Sequence, residues 1–144
     1  MKEIIETYSH EGQGYNPFLM GEKWQVAMLN YAPAEALEAI DKLDVHYLTD
    51  EVFVLLQGHA VLIGAAIDKG IIEYNVIDML PNKVYNIPKN VWHKIAMSEG
   101  SQVLIVEDAR THLGDFEFYH LNEGQKTQLR NVVNEQIKKR KKTL

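Results

Sequence analysis

Six histidines, and a glutamate at the head of an apolar run, are the groups in this chain with the most chemistry to offer. Glu51 opens the run Val52-Phe53-Val54-Leu55-Leu56, where a buried carboxylate is costly unless it is paired or bound to a cation. His46 precedes it with four residues between them, and His93 follows five positions after Pro88. Asp44 and His46 are two apart and share one face of a strand. Burial among apolar side chains raises a carboxyl pKa, so Glu51 could act as general acid or base with His93 as its partner, without a metal. His10, His59, His112 and His120 have no comparable arrangement and are read as surface or hydrogen-bonded residues. Tyr47, Tyr74, Tyr85 and Trp92 are aromatic residues near the expected mouth of the site, with Trp92 on the opposite strand face from His93.

The elements that must position these residues are mostly strands. From Trp24 to Asp108, short apolar or alternating runs are broken by turn signals every 8 to 12 residues or so, the mark of an all-β sandwich or barrel. Strands are expected at roughly Lys23 to Asn30, Leu43 to Leu48, Glu51 to Gln57, His59 to Ala65, Ile71 to Met79, Val84 to Ile87, Val91 to Met97, Gln102 to Glu107 and Phe116 to Leu121. Turn signals separate them, among them Gln57-Gly58, Asp68-Lys69-Gly70, Pro81-Asn82 and Pro88-Lys89-Asn90. The unbroken apolar runs Val52 to Leu56 and Val103 to Val106 imply strands covered on both faces, by a second sheet or a partner subunit. Pro33 to Leu43 carries helix formers behind a proline. Glu123 to Lys142 predicts a helix whose Leu129, Val132, Val133 and Ile137 lay one stripe on the barrel.

With 144 residues, 46% hydrophobic and 24% charged, the chain is expected to form one domain over 1–144, with a barrel core at about 22–121 and a helix at about 123–142. The absence of Cys excludes disulfides, zinc fingers and thiol nucleophiles. The start Met1-Lys2-Glu3-Ile4-Ile5-Glu6 lacks the apolar region of a signal peptide, and no apolar run approaches the ~18 residues of a membrane span, so a cytoplasmic protein with no membrane partner is expected. Lys138, Lys139, Arg140, Lys141 and Lys142 hold five positive charges, leaving −10 on the remainder of a chain whose net charge is −5. Such an acidic body repels a phosphate backbone, so no nucleic-acid partner is expected, and the basic tail reads as a solvated helix end.

The segment Asp44-Val45-His46-Tyr47-Leu48-Thr49-Asp50-Glu51, running on to Gly58, resembles the first motif of the cupin superfamily, Gx5HxHx3-4Ex6G. Pro88-Lys89-Asn90-Val91-Trp92-His93, ending at Met97, resembles the second, Gx5PxGx2Hx3N. The resemblance implies a cupin-type double-stranded β-helix, a jelly-roll barrel with a C-terminal α-helix. It also implies a divalent metal, Fe, Mn, Ni or Zn, on His46, Glu51 and His93, with Asp44 as a candidate fourth ligand. Two His and one carboxylate suit a facial triad with open positions. Asp44 replaces the first His of the pair, Asn90 a Gly, Met97 the closing Asn, and Asn82 the Gly before the Pro. Asn90 tolerates the left-handed conformation better than other non-glycine residues do. The function expected is a metal-dependent enzyme, of the isomerase, lyase or dioxygenase class, acting on a small polar metabolite, with Glu51 and His93 as catalytic residues. The alternative is a ligand-binding or metal-free module of the same fold. A homodimer is expected, because small barrels leave edge strands that need cover.

Overall fold

Alternating burial along the strands builds two five-stranded antiparallel sheets packed face to face. The computed structural model describes residues 3–143, with the backbone alone at His112 and Thr143, so the readings of Met1, Lys2 and the His112 side chain lie outside the described residues. The strands are β1 (Gly14–Met20), β2 (Trp24–Asn30), β3 (Lys42–Val45), β4 (Glu51–Gln57), β5 (Ala60–Asp68), β6 (Ile71–Asp78), β7 (Tyr85–Ile87), β8 (Trp92–Met97), β9 (Gln102–Asp108) and β10 (Glu117–His120), followed by the helix α1 (Glu123–Thr143). One sheet has the order β1-β2-β9-β4-β7 and the other β10-β3-β8-β5-β6. Sequence neighbours such as β3 and β4 therefore lie in different sheets, which is the jelly-roll crossover expected from the motifs.

Two apolar layers result. Phe53, Leu55, Leu62, Ile95, Val103 and Ile105 fill the space between the sheets. Leu43, Val61, Ile63 and Ala96, on the outer face of the second sheet, pack with Leu129 and Val133 of α1, as the helical spacing predicts. The helix starts at a reciprocal cap, in which the Asn122 side chain accepts from Gln125 N–H at 2.9 Å and the Gln125 side chain accepts from Asn122 N–H at 2.9 Å. Near its other end Arg140 donates to Asp78 at 2.6 Å and to the Met79 carbonyl at 3.1 Å. At Arg140, then, the basic tail is tied to the sheet rather than simply solvated.

Several expectations differ from what is observed. The strand expected from Leu43 to Leu48 ends at Val45, so His46 lies beyond it and does not share a strand face with Asp44. The strand β1 was not anticipated, because Gly-Tyr-Asn-Pro-Phe-Leu-Met has no clean alternation; it sits at a sheet edge, where Pro17 is tolerated and the register shifts between Pro17 and Leu19. The segment behind Pro33 forms two single 3-10 turns, Pro33–Glu35 and Leu37–Ala39, interrupted by extended Ala36 at φ −68° and ψ 143°. Burial of Ile40 ahead of β3 takes precedence over helix propensity there. The two-sided cover expected for β4 and β9 is met on one side only, since Val52, Val54, Leu104 and Val106 are half-buried and Leu56 is exposed.

Two turns hold the ends of the site strands. Gly58 has φ +83°, and a Cβ there would lie 2.4 Å from Ser101 Oγ and 2.6 Å from Ser101 Cα, so both conformation and space demand glycine. Asn90 takes φ 70° in the place of the motif glycine, as its residue type allows, and its N–H donates to the His46 carbonyl at 2.7 Å. That bond ties the β7–β8 turn to the turn that carries His46.

Candidate metal centre

His46 lies one residue past β3, Glu51 is the first residue of β4, and His93 is the second of β8. The three come from both sheets and meet between them. His46 Nε2 is 2.9 Å from Glu51 Oε2, and His93 Nε2 is 2.8 Å from the same oxygen. One ligand atom from each of the three lies within 4.8 Å of the others. Glu51 and His93 are buried, and the His46 side chain is 11% exposed.

Backbone carbonyls orient both rings. His46 Nδ1 is 2.7 Å from the Asp115 carbonyl and His93 Nδ1 is 3.0 Å from the Val91 carbonyl. A carbonyl oxygen only accepts, so each Nδ1 carries the proton and each Nε2 is presented toward Glu51. An imidazole lone pair and a carboxylate oxygen at 2.8 to 2.9 Å need a cation between them, either a proton or a metal ion. This pattern, with Nδ1–H on a carbonyl and Nε2 on the site, is how proteins fix a metal-binding histidine.

Asp115 does more than offer its carbonyl. Its carboxylate accepts from Tyr47 N–H at 2.9 Å and from Leu48 N–H at 3.0 Å, fastening the turn just after His46. The Asp50 carboxylate accepts from Lys89 N–H at 2.9 Å and from the Asn86 side chain at 3.1 Å, fastening the turn before His93. Neither carboxylate stands at a motif position, and sequence reasoning missed both.

Electrostatically the site is a carboxylate between imidazoles. Burial works against charge on His46, but the hydrogen bonds to Glu51 and the Asp115 carbonyl, with the charges of Glu51 and Glu107, outweigh it and push the pKa up to about 9. Burial alone would raise Glu51, yet the hydrogen bonds and charges of His46 and His93 reverse this and hold its carboxyl well below the usual range. The expectation of a raised pKa at Glu51 is thus corrected. The raised carboxyl is Glu107 on β9, pushed up to about 7 by burial and by the charge of Glu51.

Around these groups lies a cavity of about 320 Å³, with Leu29, Phe53, Ile95 and Ile105 as its apolar lining and Tyr15, Phe116 and Phe118 among its aromatic residues. Asp44 also lines it, but outside the group formed by His46, Glu51 and His93: its Oδ2 is 3.5 Å from Lys94 Nζ, while Oδ1 is buried without a hydrogen-bond partner among the described residues. Of the aromatic residues expected near the mouth, Trp92 packs on Tyr119 in the outer layer, opposite to His93 as alternation requires, and Tyr85 Oη accepts from Leu80 N–H. Tyr74 is part of the outer layer as well, and Tyr47 hydrogen-bonds Glu117 at the surface. His59, read as structural, pairs with Asp78 at 2.9 Å, far along β5 and β6 from the centre.

Solved structures of other proteins share this architecture. An RmlC-like cupin family protein with a double-stranded β-helix fold, from Methanocaldococcus jannaschii, superposes with a TM-score of 0.52 at 13% identity, over 74% of this chain and 93% of that one. The fold is that of the cupins. Streptomyces PAC13, solved with uridine, superposes on this cupin barrel with a TM-score of 0.55 at 8% identity, over 89% of this chain and 98% of the other. Another structure of Pac13, described as a unique nucleoside dehydratase, gives 0.54 at 8% identity over 78% and 83%. No protein-family model matches the chain, and no curated protein matches it significantly in sequence. Among the described residues, no helix is long and apolar enough to cross a membrane.

The donor set fits a divalent metal. His46, Glu51 and His93 lie close enough to bind one in the interior of the cupin barrel. Glu107 Oε2, buried without a hydrogen bond among the described residues and 3.8 Å from His46 Nε2, leaves a further carboxylate oxygen beside the donor set.

Proposed function

We propose that the protein is a metal-dependent enzyme acting on a small polar molecule in the cupin cavity, with His46, Glu51 and His93 holding a divalent ion of the Fe, Mn, Ni or Zn group. The observation that carries this reading is the convergence of two Nε2 atoms on one carboxylate oxygen, with both Nδ1 atoms committed to backbone carbonyls. When bound, the ion supplies Lewis-acid polarisation of an oxygen or activation of water. The protein's residues do the rest. Leu29, Phe53, Ile95 and Ile105 exclude bulk water from one side of the molecule, and Tyr15, Phe116 and Phe118 contact its flatter or less polar part. Asp44 Oδ1, lacking a donor among the described residues, takes a hydrogen bond from a hydroxyl or amino group, and Lys94 beside it holds the carboxylate in place.

A second reading rests on the 2.8 Å contact between His93 and Glu51, which could serve as an acid–base pair without metal. Turnover separates the two. Chelator-stripped protein, metal-reconstituted protein and the His93→Ala variant are incubated with a panel of small polar metabolites, and product is followed by mass spectrometry. Nucleosides belong in the panel, because Pac13 shares the fold. Turnover by the reconstituted wild type alone supports the metal-dependent reading. Equal turnover after stripping supports the acid–base pair, and binding without turnover in any form supports a ligand-binding module.

A further inference from the structure

From its position and its half-satisfied carboxylate, the structure assigns Glu107 as a fourth protein ligand of the metal centre, with Tyr15 and Gln25 as the residues that position it. The assignment rests on the metal reading above and extends it to a strand outside both sequence motifs.

Glu107 and Glu51 are direct register partners across β9 and β4, so their side chains rise from the same face at neighbouring positions. Both are 7% exposed. Like charges placed directly opposite one another are unfavourable even at a surface, and burial sharpens the cost unless a cation lies close. Glu51 has His46 and His93 against it; Glu107 Oε2 has His46 Nε2 at 3.8 Å and no hydrogen bond among the described residues. A divalent ion beside both would balance the two carboxylates.

The other oxygen explains why Oε2 is aimed inward. Tyr15 Oη donates to Glu107 Oε1 at 2.5 Å, Gln25 Nε2 donates to the same oxygen at 3.2 Å, and Gln25 Nε2 also donates to Tyr15 Oη at 2.7 Å. Two donors therefore converge on Oε1 and leave Oε2 toward the cavity that Glu51, His46 and His93 line. A metal-binding carboxylate is commonly held in this way, one oxygen fixed by outer groups and one presented to the ion. Asp44, which the motif places at the fourth position, likewise has one oxygen without a hydrogen bond among the described residues, but its ion pair is with Lys94 at 3.5 Å, whereas Glu107 Oε2 lies 3.8 Å from the ligand atom of His46.

The test is metal binding to chelator-stripped protein, by calorimetry with Mn2+ and by the visible absorption of added Co2+. Wild type, Glu107→Gln, Tyr15→Phe and Asp44→Asn are compared, with thermal unfolding of each stripped protein to confirm folding. Glu107→Gln should weaken binding at least 10-fold and change the Co2+ band intensities. Tyr15→Phe should weaken it by roughly 10-fold, and Asp44→Asn should leave the Co2+ spectrum as in wild type. A folded Glu107→Gln variant with wild-type affinity and spectrum would overturn the assignment while leaving the three-residue site standing. Failure of the wild type itself to bind would overturn both.

Discussion

Glu51 and Glu107 face one another across the β4–β9 pair, both more than nine-tenths buried, and their environments drive their carboxyls in opposite directions. Two histidines hold Glu51 ionised, whereas burial and the charge of Glu51 push Glu107 up to about 7. The pair makes the centre sensitive to both protons and cations.

Metal binding should release protons. His46, with its pKa pushed up to about 9, is protonated at pH 7 and must lose that proton to present a lone pair. Affinity is therefore expected to rise from pH 6 to 9 and then level off. Calorimetry at pH 7 in buffers of different ionisation enthalpy should report proton release on binding, and a pH-independent affinity over this range would contradict the charged state of His46.

Stability of the metal-free protein should follow the same groups. Glu107, raised from 4.5 to about 7, contributes fully below pH 4.5 and loses that contribution as pH rises to 7. His46, raised from 6.5 to about 9, contributes fully below 6.5 and loses it as pH rises through 9. Glu51, whose pKa is lowered, contributes above 4.5 and loses this in more acidic solution. The site thus favours folding most near pH 4.5 to 5. Glu107→Gln should remove the decline between pH 4.5 and 6.5 and make the stripped protein more stable than wild type at pH 8, by on the order of 2 kcal/mol, in urea unfolding.

Much of this centre is legible in the chain, and what is not has physical reasons. Asp44, His46, Glu51 and His93 stand at motif spacings, and strand boundaries such as Glu51–Gln57 follow from apolar runs ended by a turn glycine. Glu107 is hidden because a glutamate at the end of an apolar run is usually solvent-exposed; only the β4–β9 register sets it opposite Glu51. Asp115, in the loop before β10, gives no local signal either, since its partners His46, Tyr47 and Leu48 are nearly seventy positions away. The sign of the Glu51 shift depended on which Nε2 atoms came within 3 Å, which spacing alone does not contain.

Asp115 should matter to a metal it does not touch. Asp115→Ala removes both side-chain bonds to the turn after His46, at Tyr47 and Leu48, while leaving its backbone carbonyl. Loosening His46 is expected to lower metal affinity by roughly 10-fold, measured by calorimetry, with the stripped protein still folded.

Gly58→Ala should destabilise the fold without touching the site. The new Cβ combines φ +83° with contacts of 2.4 to 2.9 Å to Ser101, including its backbone Cα. A loss of about 2 kcal/mol is expected in urea unfolding, and a variant as stable as wild type would show that this turn is more pliant than its geometry implies.

The most direct test of the central claim is elemental analysis of protein purified without chelator and then reconstituted with Mn, Fe, Ni or Zn, alongside a His46→Ala/His93→Ala variant handled identically. Near-stoichiometric divalent metal in the wild type and its loss in the variant is the predicted result. A wild type that retains none of the four ions, or a variant that retains as much as wild type, would contradict a metal centre built on His46, Glu51 and His93.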